Sequence, residues 1–301
     1  YGGVTSFNGI GGHYGDENLP LLLETDEAFN TFKELEINSL LITNIDHDHI
    51  DHFGSYTNLV EAFGTVITNV KDKCVINIDD TKLSTFLRPG DISYSSSKNS
   101  HYKINFPNSF NVDKEDYTIT TKLIGEHFIS NIVGAIALAN QNGISIDQCL
   151  NAIKHFDGVK RRTEYIGDFN GTNFYDDYGH HPTEIKATTK ALKNNTSGKL
   201  IVIFQPHRFT RTRDNYEDLR NSFGHSDLTL ITDIYSAGEK PIPGISSVMF
   251  EGKDIQYMKS PRLVPHFIKN NINPGDTVLT IGAGDITLLG PQILKYLNEN
   301  K

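Results

Sequence analysis

The pattern of apolar and polar positions along the chain predicts short buried strands that alternate with amphipathic helices. Mostly apolar runs occupy Leu40–Thr43, Lys199–Phe204 and Thr277–Ile281, as expected for strands that are covered on both faces. Residues 56–70 and 129–142 instead repeat their apolar positions at helical spacing, which predicts helices with one buried face. This alternation favours an α/β protein with mainly parallel, doubly wound sheets.

A domain boundary is indicated near Phe156–Gly158, where a turn is followed by the basic residues 160–162. A length of 301 residues is typical of about two domains. We therefore expect a first domain over residues 1–156 and a second, Rossmann-like domain over residues 157–301. Leu21–Leu23 is predicted to form a short strand, residues 89–122 a small antiparallel region, and Asn170-Gly171 the turn of a hairpin.

Composition narrows the functional classes. The formal net charge of −9 argues against non-specific nucleic-acid binding, and no apolar run approaches the ~18 residues of a membrane span. Cys74 and Cys149 are too few for a disulfide framework, so we interpret them as buried thiols in a reducing compartment. These observations predict a cytoplasmic protein that binds neither nucleic acid nor a membrane.

The polar turn after the strand at Leu40–Thr43 carries a cluster of His and Asp residues. Read literally, His47, His49, Asp51 and His52 spell H-x-H-x-D-H, the dizinc motif of the metallo-β-lactamase-like hydrolases. That interpretation requires further His or Asp ligands downstream, for which His101 and His127 are available.

Two polar clusters in the second half also follow predicted strands. Residues 176–184, DDYGHHPTE, place two Asp and two His at a strand-to-helix junction, which is typical of a surface site. Arg208 and Arg211 are three residues apart, so on one helical turn they would share a face and could hold a carboxylate or phosphate. The G-x-G at Gly282–Gly284 lacks the third glycine of a dinucleotide fingerprint and is a weak signal for NAD.

Taken in chain order, these motifs resemble those of the Mur ligases, and the strings at 176–184 and 205–212 resemble the branch that adds L-alanine. The resemblance rests on residues 24–27, 43–45 with 48–51, 125–131, 158–162, 176–184, 205–212 and 235–239. It implies a doubly wound, ATPase-type central domain followed by a Rossmann-like C-terminal domain that binds the amino acid. It further implies ligation of L-alanine to UDP-N-acetylmuramate through an acyl phosphate, with ATP and Mg²⁺, in peptidoglycan precursor synthesis for cell-wall growth and division.

The resemblance also assigns roles to individual residues. It implies Mg²⁺ ligands at Glu24 and His49. It implies a nucleotide-binding group in which Asn131 contacts the adenine, Arg162 the nucleotide and Asp177 the ribose, with Tyr178 beside them. It implies a catalytic group in which His180 is an active-site residue of the second domain, and His207, Arg208 and Arg211 receive the amino-acid carboxylate and the phosphates.

Two departures from the family pattern change what we expect of the chain alone. No G-x-x-G-K-[ST] phosphate-binding loop occurs in the 301 residues, and the sequence opens at Tyr1-Gly2-Gly3 rather than at Met. Phe128 stands where the family usually has Asn in H-N-x-x-N, which is expected to alter nucleotide binding. We therefore interpret the chain as a truncated ligase that is inactive alone, with an N-terminal half supplied in trans as one possibility. A non-catalytic degenerate or split subunit and the dizinc hydrolase are the alternatives.

Overall fold

The computed structural model describes residues 15–16, 18–25 and 27–300, except for the side chains of Phe29, Asn30 and Asp51. The chain divides into two compact units, with the division between Asp157 and Gly158. Each unit is built on its own sheet, and both sheets are mainly parallel with helices between the strands. The predicted α/β class is therefore confirmed.

The first unit contains a six-stranded sheet in the order β1-β2-β3-β4-β5-β6. The first four strands are parallel, β5 runs antiparallel to β4, and β6 runs antiparallel to β5. The strands are β1 (Leu40–Ile42), β2 (Cys74–Asn77), β3 (Ile92–Ser95), β4 (Tyr102–Asn105), β5 (Ser109–Val112) and β6 (Glu115–Thr118).

The helices of the first unit cover both faces of this sheet. They are α1 (Ile50–Phe53), α2 (Tyr56–Asn69), α3 (Glu126–Gln141) and α4 (Ile146–Lys154), with 3₁₀ helices at Ala28–Glu34 and Leu83–Phe86. Alternate residues of β2 point to opposite faces, so Cys74 and Ile76 pack with α2 whereas Val75 packs with α3. This two-sided burial explains why the strand reads as a continuous apolar run.

Two predictions for this unit need correction. Leu21–Leu23 is not a strand: no described strand pairs with it, and its side chains are 86%, 72% and 49% exposed. An apolar run becomes a strand only where a neighbour takes its backbone hydrogen bonds. In residues 89–122, the antiparallel prediction is right for β4–β6, whereas β3 continues the parallel part of the sheet.

The second unit contains a six-stranded sheet in the order β11-β10-β9-β12-β8-β7. Only β7 runs antiparallel, in a hairpin with β8 that turns at Asn170-Gly171 as predicted. The strands are β7 (Glu164–Phe169), β8 (Thr172–Asp177), β9 (Leu200–Phe204), β10 (Leu228–Ile231), β11 (Ile255–Tyr257) and β12 (Thr277–Ile281).

Five α-helices accompany these strands among the described residues. They are α5 (Pro182–Asn194), α6 (Phe209–Asp214), α7 (Tyr216–Arg220), α8 (Val264–Asn271) and α9 (Leu289–Glu299). Every residue of β9 and β12 is buried, so these two strands form the centre of the sheet. None of the helices that the structure describes is long and apolar enough to cross a membrane.

Candidate active site

The loops that follow β8, β9, β10 and β12 open at one edge of the second unit's sheet. From β9 the chain moves outward to β10 and β11 and then returns to β12, which lies between β9 and β8. Open α/β sheets form their binding crevices where the strand order reverses in this way. The residues of the DDYGHHPTE and QPHRFTRT strings begin at this edge.

The two aspartates at the end of β8 are buried and bind groups of their own unit. Asp177, 4% exposed, accepts hydrogen bonds from Thr163 N (2.7 Å) and Gly179 N (2.7 Å). Asp176 accepts from two threonine hydroxyls at 2.6 and 2.7 Å. Burial raises the pKa of both carboxyl groups, that of Asp177 to about 6. Asp177 thus shapes the loop that carries Tyr178, and its predicted ribose contact stays a prediction.

Tyr178 lies against two arginines of the basic residues 160–162. The guanidinium carbons of Arg161 and Arg162 are 4.8 and 5.6 Å from its ring centroid. Arg161 Nη2 also donates to the carbonyls of Gly282 (2.6 Å) and Gly284 (3.1 Å). Arg161 therefore connects the loops after β8 and β12, a role that only the fold reveals.

Glu184 holds the backbone of His180 and His181 at the start of α5, and the Nδ1 of the His180 ring lies 3.2 Å from Tyr178 O. Glu184 Oε2 accepts from the backbone N of His180 (3.0 Å) and of His181 (3.2 Å), and lies 3.8 Å from His180 Nδ1. Arg162 Nη1 lies 3.4 Å from Glu184 Oε1. Although burial opposes the charge, His180 and these backbone donors lower the pKa of Glu184.

His207 lies close to His180 and is held neutral by its surroundings. The two ring centroids are 5.9 Å apart, and the His207 ring stacks on Tyr235 at 5.5 Å. Burial, and then the positive field of His180, Arg211 and Arg208, lower the pKa of His207 to about 4. Its Nδ1 is buried with no hydrogen-bond partner among the described residues. A buried polar atom without a hydrogen-bond partner is uncommon in proteins, so this nitrogen marks an unusual environment for the imidazole.

Arg208 is fixed at the start of α6 in an uncommon backbone conformation, with φ of +71°. Its backbone N donates to Tyr235 O at 2.8 Å, and its Nε donates to Glu239 Oε1 at 2.7 Å. Arg211 lies within this short helix. Arg208 is the N-cap residue and lies outside the helix proper, so the shared helical face of Arg208 and Arg211 stays a prediction.

The G-x-G after β12 serves packing within the unit. A Cβ on Gly284 would lie 2.3 Å from Gln205 Oε1 and 2.7 Å from Tyr235 Cγ, so only glycine fits. The same Gln205 oxygen accepts from Ile286 N at 3.1 Å. A backbone donor that could have met a dinucleotide phosphate is thus already occupied.

In the first unit, His49, one of the two residues predicted to bind metal, lies in the turn between β1 and α1. His49 Nε2 is 3.6 Å from Glu27 Oε1 and 4.0 Å from Asp48 Oδ2. Glu24 is exposed, outside any regular element, and its predicted metal role stays a prediction. Asp26 lies outside the described residues, as does the side chain of Asp51.

The dizinc interpretation finds no support in the described part of the chain. The described residues contain no group of three or more His, Cys, Asp or Glu side chains that could hold a metal ion. His101 Nδ1 instead accepts from Ser93 N at 3.0 Å, and the His47 ring lies 5.7 Å from Tyr56.

Sequence reasoning missed an aspartate that organises the same edge of the first unit. Asp79, two residues after β2, accepts hydrogen bonds from the hydroxyls of Ser95, Ser96 and Ser97 and from the backbone N of Ser96 and Ser97. The neighbouring Asp80 accepts from Ile45 N at 2.9 Å. An Asp pair directly after one buried strand and three serines at the end of the next could have indicated this connection.

The residues predicted to contact the nucleotide base lie on α3. Asn131 is exposed on this helix. The Phe128 ring stands 4.3 Å from that of His127 in the first turn. Their contacts with a nucleotide stay predictions.

Comparison with known proteins agrees with this arrangement. Residues 26–139 match the model of the Mur ligase middle domain, and residues 161–284 match that of the Mur ligase glutamate ligase domain. The chain is 32% identical to a relative in Desulforamulus reducens (93% of this chain, 65% of that protein) and 31% identical to one in Brucella anthropi (99% and 69%). It thus spans about two thirds of their length.

Solved structures show the same fold. A ligase from Thermotoga maritima superposes with a TM-score of 0.73 at 23% identity, covering 90% of this chain and 62% of the other. A MurF ligase from the same organism, solved with ADP, superposes with a TM-score of 0.71 at 16% identity, covering 88% and 63%.

The chain belongs to the Mur ligase family. The relatives in Desulforamulus reducens and Brucella anthropi are named UDP-N-acetylmuramate–L-alanine ligase, and the first Thermotoga maritima structure is named UDP-N-acetylmuramate–alanine ligase.

Proposed function

We propose that the chain is part of an ATP-dependent ligase that joins L-alanine to UDP-N-acetylmuramate in peptidoglycan precursor synthesis. The observation that carries this proposal is its identity of 31–32% to relatives of that name over more than nine tenths of the chain. The MurF ligase solved with ADP supports ATP as the nucleotide.

The reaction needs charge neutralisation and positioning more than it needs a protein nucleophile. The carboxylate of UDP-N-acetylmuramate attacks the γ-phosphorus of ATP, and ADP leaves. The amine of L-alanine then attacks the acyl phosphate through a tetrahedral intermediate, and inorganic phosphate leaves as the amide forms. Negative charge lies on phosphoryl and carboxylate oxygens throughout, so fixed cations stabilise the transition states.

The second unit offers suitable groups for the amino acid and the acyl phosphate. Arg208, the N-cap residue of α6, and Arg211, within that helix, would bind a carboxylate or phosphoryl group. His207 is a weak base, because its pKa is about 4, but its neutral ring can accept a hydrogen bond from the amine. His180, whose ring centroid is 5.9 Å from that of His207, completes the proposed catalytic group.

Nucleotide and metal would be held by the remaining predicted residues. Asn131, Arg162, Asp177 and Tyr178 form the proposed nucleotide-binding group. The proposed Mg²⁺ ligands are Glu24 and His49, and the ion would take its other ligands from water and phosphate oxygens. Bound there, Mg²⁺ would neutralise phosphoryl oxygens, and His49 and the proposed ligand Glu24 would help to orient it.

A chimaera tests the proposal. This chain leaves about one third of the Desulforamulus reducens relative unmatched. That unmatched part would be joined to the 301 residues, and the chimaera would be assayed with radiolabelled L-alanine. We expect L-alanine to be joined to UDP-N-acetylmuramate only with ATP, and at least about a hundredfold less with Arg208→Ala, as for loss of a transition-state charge. An inactive chimaera that folds and binds ATP would contradict the proposal.

We also propose that the 301-residue chain alone has no ligase activity, because its sequence contains no G-x-x-G-K-[ST] loop to cradle the β- and γ-phosphates. Alanine-dependent phosphate release from ATP, above that of a His49→Ala control, would refute this.

A further inference from the structure

We propose that Glu239 is a positioning residue, which holds Arg208 in the orientation needed to receive an anionic group. This inference rests on the proposed function, because it deepens the role of the same arginine. Glu239 lies in the loop after β10, and so reaches the start of α6 from a different part of the chain.

The geometry around Glu239 fixes both the side chain and the backbone of the helix start. Glu239 Oε1 accepts from Arg208 Nε at 2.7 Å, which sets the plane of the guanidinium. The same carboxylate accepts from Thr210 Oγ1 (2.5 Å) and from Thr210 N (3.0 Å). One carboxylate therefore holds Arg208 and the first turn of α6 together.

The loop that carries Glu239 is itself preorganised. Ala237 and Gly238 have φ of +49° and +86°, and Glu239 N donates to Ser236 O at 2.9 Å. The Glu239 side chain is 18% exposed. Although burial opposes the charge, the bonds from Thr210 and Arg208 lower the pKa of Glu239 to about 2, so it remains a carboxylate at neutral pH.

Positioning and simple charge predict opposite effects of removing this carboxylate. Glu239→Gln removes a negative charge beside two arginines, so Coulomb attraction alone would strengthen anion binding. If Glu239 instead orients Arg208, the substitution weakens binding because the guanidinium becomes disordered. Asp233→Asn is the matched control: it removes the same charge after the same strand, where Asp233 accepts from Tyr257 Oη rather than from Arg208.

The first measurement needs neither ligand nor activity. Hydrogen exchange of the Arg208 Nε–H, assigned by its loss in Arg208→Lys, would be followed by NMR in the 301-residue chain. We expect exchange to be about tenfold faster in Glu239→Gln, as for loss of a charge-assisted hydrogen bond, and unchanged in Asp233→Asn. Equal exchange in the wild type and Glu239→Gln would overturn the proposal.

The second measurement titrates inorganic phosphate against the same signal. We expect Glu239→Gln to bind phosphate about threefold or more weakly than the wild type, whereas Asp233→Asn binds equally or slightly more tightly. Glu239→Gln that binds phosphate as tightly as Asp233→Asn would overturn the proposal. If the wild type itself binds no phosphate, the proposed anion site of Arg208 fails, and exchange alone decides whether Glu239 positions Arg208.

Discussion

Replacing Asp79 by asparagine should destabilise the first unit far more than its half-exposed position suggests. The Asp79 carboxylate accepts from the hydroxyls of Ser95, Ser96 and Ser97 and from the backbone N of the last two. It thereby joins the ends of β2 and β3 at the edge where His49 lies. An asparagine turns one acceptor oxygen into an NH₂ group that faces a backbone N–H.

The expected loss of stability follows from these hydrogen bonds. Hydroxyls can rotate to accept from the new amide, but a backbone N–H cannot, so at least one donor loses its partner. Together with the lost charge, this predicts a decrease in the free energy of unfolding of about 2–3 kcal/mol. For a unit of this size, the melting temperature should fall by roughly 5–10 °C.

The pH dependence of this stability difference supplies a second test. The hydrogen bonds from the three serines outweigh burial and lower the pKa of Asp79 below its ordinary value of 3.8. A carboxyl group whose pKa is depressed in the folded state stabilises the fold above its unfolded pKa, and that contribution is lost as the pH falls through the folded pKa. The difference between the wild type and Asp79→Asn should therefore be full at pH 7 and shrink below about pH 3.8.

Thermal denaturation followed by circular dichroism measures this difference, and hydrogen exchange of residues 92–105 localises it. Asp72→Asn is the control, since Asp72 is an exposed aspartate in the same unit whose backbone N donates to Asn38 O. If Asp79→Asn melts within about 1 °C of Asp72→Asn at pH 7, the reasoning is refuted.

Three further predictions test the site. Because His207 has a pKa of about 4, its ring signals in NMR should not titrate between pH 5.5 and 8, and an apparent pKa above 6 would contradict the assigned burial and charge. Gly284→Ala should lower the free energy of unfolding, measured by urea titration, by about 1–3 kcal/mol, because the new Cβ would lie 2.3 Å from a side-chain oxygen. Gly224→Ala is the control: Gly224 has open space around it, so the free energy of unfolding should change by less than about 0.5 kcal/mol. In an active chimaera, His49→Ala should strongly impair ligation and His52→Asn should be nearly silent; equal losses would count against the proposed metal site.

Much of the fold could be read from local pattern. The pattern of apolar residues predicted the strands at Leu40–Ile42, Leu200–Phe204 and Thr277–Ile281 and the helix α3. Strands covered on both faces have continuous apolar runs, whereas helices covered on one face repeat their apolar positions every three or four residues. The hairpin at Asn170-Gly171 follows from two residues that tolerate positive φ.

Other features depended on partners that are distant in the chain. Leu21–Leu23 has the composition of a strand but no described neighbour, and hydrogen bonding between strands is not encoded in one strand. The contacts of Arg161 with Gly282 and Gly284 and of Arg208 with Glu239 join residues that are far apart in sequence.

By itself, then, the sequence determined the α/β class, the family and the polar clusters at strand ends, because periodicity and local motifs are properties of short segments. Only the tertiary structure decided which charged groups lie together, which side chains are buried, and which of them make their hydrogen bonds to groups of their own unit. His207 shows the difference: its position in the QPHRFTRT string was visible in the sequence. Its neutral state was not, because its pKa is set by burial and by charges on other parts of the fold.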